Sequence, residues 1–371
     1  MSGVHDTDLV QFASSCTFAR DAVQSYRDRV YDLSTALQKY MTVDQARQLR
    51  LRMRDNNAVI SGSFALRFMG RYDFEEGDLD MYAYGGDILP IGHFLESIEY
   101  QFTPRASQEP LFDLAVSRAC DDAESADGSV ESVESSTDYT EVETFTFMRG
   151  SCKVQLMMCR LGVVETILQF HSTAVMNIIT HDTAYSMYPR ETFLHKRTLR
   201  TCKGEARDCE AAALAKYEQR GWQVVEEITP HAAIAHNTEF GKAFRYVGDQ
   251  MTREIKLTSP VSHPGSTDKI KYNSWTLQYT EAYQPRPGVE NPRPHWRFTG
   301  PKMETWTGRE EEWNIDNLCF AYADMAERFT DVASRSKMPV HLWTSTHASA
   351  VLKKICLQSA PAESTRCALG C

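Results

Sequence analysis

Apolar and polar positions in the first part of the chain follow a helical repeat. Between residues 17 and 56, apolar side chains recur every three or four residues with charges between them, which predicts helices. A new helix is expected to begin after Thr42, a good N-cap residue, with Asp44 and Gln45 in its first turn. This segment is therefore expected to form a helical lead-in.

The next stretch, Val59 to Tyr84, begins with an apolar run and ends with aspartates that alternate with apolar residues. Its apolar start ends in Gly62-Ser63, which predicts a strand that enters a tight turn and continues as a helix. Asp78 and Asp80 follow after a turn-rich spacer and alternate with apolar residues. Since strand residues two apart share a face, both carboxylates are expected on one face of a strand.

A hairpin is predicted from two further alternating runs. Thr140 to Met148 and Ser151 to Cys159 both alternate, and Arg149-Gly150 lies between them as a turn. In the second run the alternation separates two faces: Lys153, Gln155 and Met157 on one, and Val154, Leu156 and Met158 on the other.

The rest of the chain contains one acidic stretch and one strand-rich region. Residues 121–138 are acidic and rich in serine, so we expect a disordered loop there, because the stretch has too little apolar surface to offset its ordering entropy. Residues 211–220 predict a helix that ends at Gly221. Residues 240–306 predict strands whose aromatic side chains form a core of their own, with an aromatic platform for nucleic-acid bases as the alternative. Residues 318–332 predict a helix, and residues 341–356 predict a further strand–helix piece.

These elements predict an α+β protein in which a mixed sheet with flanking helices is followed by a β-rich C-terminal extension. The expected division is a helical lead-in over 1–56, a sheet domain over 57–200, a helix and β-rich unit over 201–358, and a loose tail over 359–371.

Composition narrows the class of protein. The 371 residues are 42% hydrophobic and 11% aromatic, which is enough for a sizeable core. The net charge of −10 argues against a broad nucleic-acid surface, although it leaves room for a local basic cleft. No secretory signal or membrane-length apolar run is present, and the ten cysteines form no CxxC pairs, so we expect an intracellular protein of the cytoplasm or nucleus with free thiols.

The Gly-Ser turn and the aspartate pair have complementary chemistry. A helix N-terminus that follows Gly62-Ser63 offers backbone N–H groups, a hydroxyl and a positive dipole end to a phosphate. Asp78 and Asp80 offer the oxygens that Mg²⁺ prefers when it is shared with phosphates. A surface hairpin with two solvated aspartates is the structural alternative.

The order apolar-Gly-Ser and then Asp-x-Asp resembles the nucleotidyltransferase superfamily, the fold of DNA polymerase beta, over roughly residues 45–200. The segment 163–197 is similar to that of uncharacterised fungal nucleotidyltransferase-like proteins, which also tend to have a KxQL-type third strand. The resemblance implies that Gly62 and Ser63 hold the phosphates of a nucleoside triphosphate, and that Asp78 and Asp80 are catalytic residues that bind Mg²⁺ or Mn²⁺.

One position departs from the family pattern. The resemblance places a third metal-binding carboxylate on the second strand of the hairpin, where this chain has Gln155. Glutamine is neutral and cannot act as a base, so its presence should leave nucleotide and metal binding largely intact and weaken catalysis. Glu141 or Glu143 could substitute if the register brought one of them to the site.

Two functions therefore stay open on sequence grounds. The chain either transfers a nucleoside monophosphate to an acceptor that the sequence does not specify, or it is a catalytically inactive relative that binds nucleotide or a protein partner. The densest basic cluster, Lys196, Arg197, Arg200 and Lys203, either faces the triphosphate or is a solvated helix end.

Overall fold

The fold is described from a computed structural model of the chain. It describes residues 6–74, 77–126, 142–160, 162–201, 208–235, 238–258, 270–271, 273–282 and 295–304. The helix expected over 318–332, the strand–helix piece expected over 341–356, the loose tail and most of the acidic stretch lie outside the described residues.

In the part of the chain that the structure describes, four helices precede the first strand, and six more lie between the strands. In this part of the chain the α-helices are α1 (Asp6–Ala13), α2 (Thr17–Val30), α3 (Leu33–Ala36), α4 (Val43–Asp55), α5 (Gly62–Gly70), α6 (Leu89–Ser97), α7 (Phe112–Ala126), α8 (Val163–Leu168), α9 (Asp208–Gln219) and α10 (Pro230–Ile234). Short 3₁₀ turns cover Gly85–Ile88 and Thr173–Val175, and a single π-helical turn covers Arg190–Leu194.

The described strands form two larger sheets and one pair. They are β1 (Val59–Ser61), β2 (Leu79–Tyr84), β3 (Gln101–Phe102), β4 (Val142–Arg149), β5 (Cys152–Cys159), β6 (Asn177–Ile179), β7 (Thr183–Ser186), β8 (Arg197–Leu199), β9 (Gln223–Val225), β10 (Glu227–Ile228), β11 (Arg245–Tyr246), β12 (Arg253–Lys256), β13 (Ser274–Ala282) and β14 (His295–Glu304). The molecule is thus a mixed α and β protein, as the sequence predicts.

A mixed sheet of eight described strands contains the elements that carry the candidate chemistry. Its order is β12-β7-β6-β1-β2-β5-β4-β3, and the β2–β5 pair is parallel whereas its neighbours are antiparallel. The predicted helix start at Thr42 is confirmed, because the Thr42 hydroxyl accepts from Gln45 N–H and the Gln45 side chain accepts in return. The hairpin is confirmed as well, and Gly150 adopts a φ of 58° in its turn.

The second sheet has the order β10-β14-β13-β11 within the described residues. Its aromatic side chains were expected to form a separate core, and the structure differs. Trp275 is fully buried and its indole donates to the Tyr188 hydroxyl at 3.0 Å. One hydrophobic cluster contains Trp275 together with Val59 of β1 and Tyr82 of β2, so the two sheets share a core.

The start of the acidic stretch is helical. Residues 121–126 form the last part of α7, whose preceding turns bury Phe112, Ala115 and Val116 against the sheet. The expectation of a loop from residue 121 is therefore wrong at its beginning, because these residues continue a helix that the core has already nucleated.

No helix in the described part of the chain is both long and apolar enough to cross a bilayer.

Glu239 stabilises the π-helical turn from a buried position. Only 3% of the residue is exposed, and its two carboxylate oxygens accept from the backbone N–H groups of Arg190 and Glu191 at 2.9 and 3.0 Å. Burial is the largest cause that raises the pKa of Glu239 to about 7, and it outweighs these two hydrogen bonds, which lower it.

This burial makes stability depend on pH. A carboxyl whose folded pKa lies above its unfolded value binds its proton more tightly when folded, so the contribution is present below about pH 4.5 and is lost as pH rises through 7. We expect Glu239→Gln to remove this loss of stability. Relative to wild type, the free energy of unfolding of the variant should rise by about 3 kcal/mol between pH 4.5 and 7. Urea unfolding of both proteins across that range measures the difference, and parallel curves would contradict the assignment.

Candidate functional site

The Gly-Ser turn and one aspartate are in direct contact. Antiparallel pairing of β1 with β2 places Ser61 opposite Asp80. Gly62, the next residue, has a φ of 67°, and a Cβ added there would lie 2.6 Å from Asp80 Oδ2. Two separate constraints, a left-handed backbone and close packing, thus require glycine at this position.

Ser63 and Asp78 lie close to the contact between Gly62 and Asp80. A Cβ built on Gly77 would be 3.6 Å from Ser63 Oγ, so the serine hydroxyl faces the segment that enters β2. The Tyr40 hydroxyl donates to the Gly77 carbonyl at 2.7 Å and holds this segment in place. Asp78 is the next residue along the chain. Because it lies two residues before Asp80, alternation predicts that the two carboxylates point the same way.

Gln155 is the immediate neighbour of Asp80 on the other side. The parallel β2–β5 register aligns Asp80 with Gln155 and Leu79 with Val154. Val154, Leu156 and Met158 are buried while Gln155 is partly exposed, as the predicted alternation requires. The structure therefore brings Gly62, Ser63, Asp78, Asp80 and Gln155 together in one place.

Glu143 does not lie beside Asp80 and Gln155. In the β4–β5 register it pairs with Met158, whereas Thr146 pairs with Gln155. Residues 143 and 146 have opposite parity, so Glu143 lies on the other face of the sheet, where its carboxylate accepts from the side chains of Arg105 and Gln108. Glu141 lies outside the described residues.

Lys153 is a member of the site whose role the sequence analysis missed. Its ammonium lies 2.6 Å from Asp78 Oδ2. Both side chains are about one-third exposed, at 33% and 39%, so the pair contributes about 1 kcal/mol or less to folding. The signal was available in the sequence, because Lys153 and Gln155 repeat the two-residue spacing of Asp78 and Asp80.

The aspartates and their neighbours form a strongly coupled set of charges. Burial, followed by repulsion from Asp78, raises the pKa of Asp80 to about 7, while Lys153 and Lys216 act in the opposite direction. Lys216 projects from α9, and burial and then Arg220 lower its pKa despite attraction to both aspartates. Lysine residues from two separate elements thus partly compensate a crowded pair of carboxylates.

Aromatic rings in contact with cationic side chains form a wall near these charged residues. The Lys196 ammonium lies 3.6 Å from the ring centre of Tyr72 and 4.0 Å from that of Trp222, and burial lowers the pKa of Lys196 to about 8. The Arg220 guanidinium lies 4.1 Å from the ring centre of Phe74. Tyr72 and Phe74 belong to the segment that leads towards Asp78, so this wall borders the acidic pair.

The predicted basic cluster is dispersed. Lys196 stacks on the aromatic wall, whereas Arg197 forms an ion pair with Glu191 at 3.2 Å; Lys203 lies outside the described residues. Lys216 on α9 and Arg220, just after its last residue, are four residues apart, and Lys216 lies close enough to interact with both aspartates. The i, i+4 spacing puts them on one face, although the sequence does not show that this face meets the aspartates.

The donor set fits one hard cation shared with phosphate oxygens. Two carboxylates and the Gln155 amide oxygen are ligands of the kind that Mg²⁺ and Mn²⁺ bind, while no group of three or more His, Cys, Asp or Glu side chains occurs in the described ranges. The Lys153 ammonium already compensates Asp78, so a divalent ion must compete with it for that carboxylate.

No family model matches the chain, and no significant match exists among the curated proteins or the solved structures.

The contact between Gly62 and Asp80 predicts the cost of adding one methyl group. We expect Gly62→Ala to lower the free energy of unfolding by about 1–3 kcal/mol from backbone strain, with a further loss because the methyl group displaces the Asp80 carboxylate. Gly150→Ala is the matched control, since Gly150 has a similar φ of 58° but nothing within 4 Å of its added Cβ. Equal losses in the two variants, measured by chemical denaturation, would argue against close packing at Gly62.

Removal of the Lys153 ammonium should expose its competition with metal. We expect Lys153→Gln to bind Mn²⁺ roughly tenfold more tightly than wild type, because a divalent ion would no longer displace an ion pair from Asp78. Lys256→Gln removes another strand lysine with a carboxylate partner, Glu254 at 3.1 Å, and should leave the affinity unchanged. Titration followed by electron paramagnetic resonance measures free Mn²⁺, and weaker binding by Lys153→Gln would reverse the interpretation.

Proposed function

We propose that the protein binds a nucleoside triphosphate together with Mg²⁺ or Mn²⁺ at Gly62, Ser63, Asp78 and Asp80, as its resemblance to the nucleotidyltransferase superfamily implies. The observation that carries the proposal is the contact of Asp80 with Gly62 at the N-terminus of α5. A helix end that bound phosphate and a carboxylate pair that bound a cation would act together only if they lay in contact, and the contact of Gly62 with Asp80 supports this.

The N-terminus of α5 supports phosphate binding. Its N-cap residue, Ser61, makes no side-chain capping hydrogen bond and instead donates its hydroxyl to the Asn177 carbonyl at 2.6 Å. The first-turn N–H groups therefore lack this capping partner, and they add to the positive end of the helix dipole. Ser63 contributes a hydroxyl to the same end.

The acidic pair supports a cation-dependent mode of binding. A bound divalent ion would neutralise the phosphate chain and polarise it towards attack. Asp78 and Asp80 would hold that ion, Gln155 would orient a ligand or water beside Asp80, and Lys216 and Arg220 would offset phosphate charge from α9. Transfer would join an acceptor hydroxyl to the α-phosphorus and release pyrophosphate.

A catalytically inactive binding protein is the second candidate, and one arrangement favours it. Gln155 lies where the family has a carboxylate, Glu143 lies on the opposite face, and Lys153 neutralises Asp78. Glutamine accepts no proton from an acceptor hydroxyl and does not offset metal charge. The chain then retains the means of binding and lacks a base for transfer.

Calorimetry with each of the four ribonucleoside triphosphates, with and without Mg²⁺, tests the binding proposal. We expect Mg²⁺-dependent binding by wild type and a loss of tenfold or more in affinity for Asp80→Asn, equivalent to about 1.4 kcal/mol or more, since one ligand of the cation loses its charge. Glu143→Gln is the control on the other face and should bind as wild type does. Absence of binding, or binding indifferent to Asp80, would reject the proposal and favour a structural role for the aspartates.

A gain of activity separates the two candidates. If the chain is an inactive relative, Gln155→Asp should create or strongly increase transfer of labelled nucleoside monophosphate, because it restores the carboxylate beside Asp80. Robust transfer by wild type would identify an enzyme instead. Self-labelling and added RNA serve as the two acceptor conditions, and thermal unfolding checks that the variant is folded.

A further inference from the structure

A second cleft, with a volume of about 620 Å³, lies apart from the acidic pair. Its walls are α2, the π-helical turn and the segment 250–256, which contains β12. The volume is within the range of protein ligand sites. None of the residues Gly62, Ser63, Asp78, Asp80 and Gln155 lines it.

The cleft runs along the edge of the eight-stranded sheet. β12 is the terminal strand and pairs with β7, and no described strand pairs with its other edge. Every residue from 250 to 256 lines the cleft. Because successive strand residues point to opposite faces, a cleft that touches all of them must follow the strand edge rather than one face.

The strand register shows which backbone groups face the cleft. Leu257 N–H donates to the Asp182 carbonyl at 2.7 Å, and the antiparallel register continues as Ile255 with Ala184 and Arg253 with Ser186. Hydrogen-bonded pairs alternate in such a ladder, so the N–H and C=O groups of Glu254 and Lys256 point away from β7. The cleft is thus bordered by two donors and two acceptors with strand spacing.

The charged side chains around this edge are mostly cationic. The lining contains Arg27, Arg71, Arg190, Arg253 and Lys256, against the single carboxylate of Glu254. Arg27 and Arg190 form no ion pair with any residue that the structure describes. In a chain with a net charge of −10, this local excess of positive charge attracts an acidic ligand.

We propose that this cleft binds an extended acidic peptide segment of a partner protein, which adds as a strand to the edge of β12 that no described strand covers, while its carboxylates contact Arg27 and Arg190. An added strand satisfies donors and acceptors alternately, whereas a phosphodiester backbone offers acceptors almost exclusively. The backbone edge therefore selects a peptide, and the arginines select its charge. Exposed Leu194 and half-buried Phe193 provide apolar contacts for the intervening side chains.

The probe is a fluorescein-labelled hexapeptide in which glutamate and valine alternate, titrated into the full chain and followed by fluorescence anisotropy. We expect saturable binding that weakens as salt is raised. A peptide with proline in place of each valine loses the N–H groups at those positions and should bind about tenfold more weakly or worse. A peptide with lysine in place of glutamate should not bind.

Two matched pairs of variants locate the site. Glu254→Pro removes an N–H that points into the cleft while keeping the ladder to β7, and should weaken binding about tenfold relative to Glu254→Ala, which keeps that N–H. Arg27→Gln and Arg190→Gln should each weaken binding several-fold, whereas Arg29→Gln, on α2 but outside the cleft, should not.

The following results would overturn the proposal. Equal affinity of Glu254→Pro and Glu254→Ala, or of the valine and proline peptides, would overturn strand addition; the peptide comparison applies even if Glu254→Pro unfolds. A labelled single-stranded oligothymidylate that binds while the peptide does not would overturn the choice of partner. None of these readouts depends on nucleotide binding, so the cleft and the acidic pair are tested separately.

Discussion

The contact between the Asp80 carboxylate and Gly62 is the constraint on which the candidate site depends. It requires the β1–β2 register that pairs Ser61 with Asp80, a left-handed backbone at residue 62, and the absence of a Cβ there. The same contact starts α5 at the end of a three-residue strand and brings its positive end to the carboxylate. Shifting the register by one residue would turn Asp80 to the other face and separate the turn from the acidic pair.

Charge compensation is the second organising feature, and it bears on both candidate functions. Two carboxylates meet at this place, and the described cations that approach them come from β5 and α9. Lys153 is on the same face of β5 as Gln155, so this strand places an amide beside Asp80 and a positive charge beside Asp78. The ammonium groups of Lys153 and Lys216 therefore offset part of the negative charge of the two aspartates.

Local patterns predicted the elements and the faces of this site well. The cap at Thr42, the turn at Gly150 and the outward position of Gln155 each depend on a few neighbouring residues, and all three are present as expected. Contacts between distant elements were not predictable in the same way. The face of the sheet on which Glu143 lies becomes clear only when the register of β4 with β5 is known. The periodicity of α9 does not show that Lys216 approaches Asp80. The periodicity of β13 does not show that Trp275 packs in the same cluster as β1. Such contacts arise from tertiary packing, which one sequence does not encode as a short pattern.

The charges at the two ends of α5 restrict which ligands the site can bind. Arg253 donates to the Met69 carbonyl at 3.1 Å near the C-terminus of the helix, and Asp80 lies at its N-terminus, so charges of the favourable sign already occupy both ends of its dipole. A phosphate that approached the N-terminus would meet a carboxylate there, and two anions in contact in a partly buried place repel strongly. They can share the helix end only if a cation lies between them or if Asp80 holds a proton. For this reason the proposed nucleotide site depends on a divalent ion, or on the ammonium groups of Lys153 and Lys216, more than on the helix dipole itself.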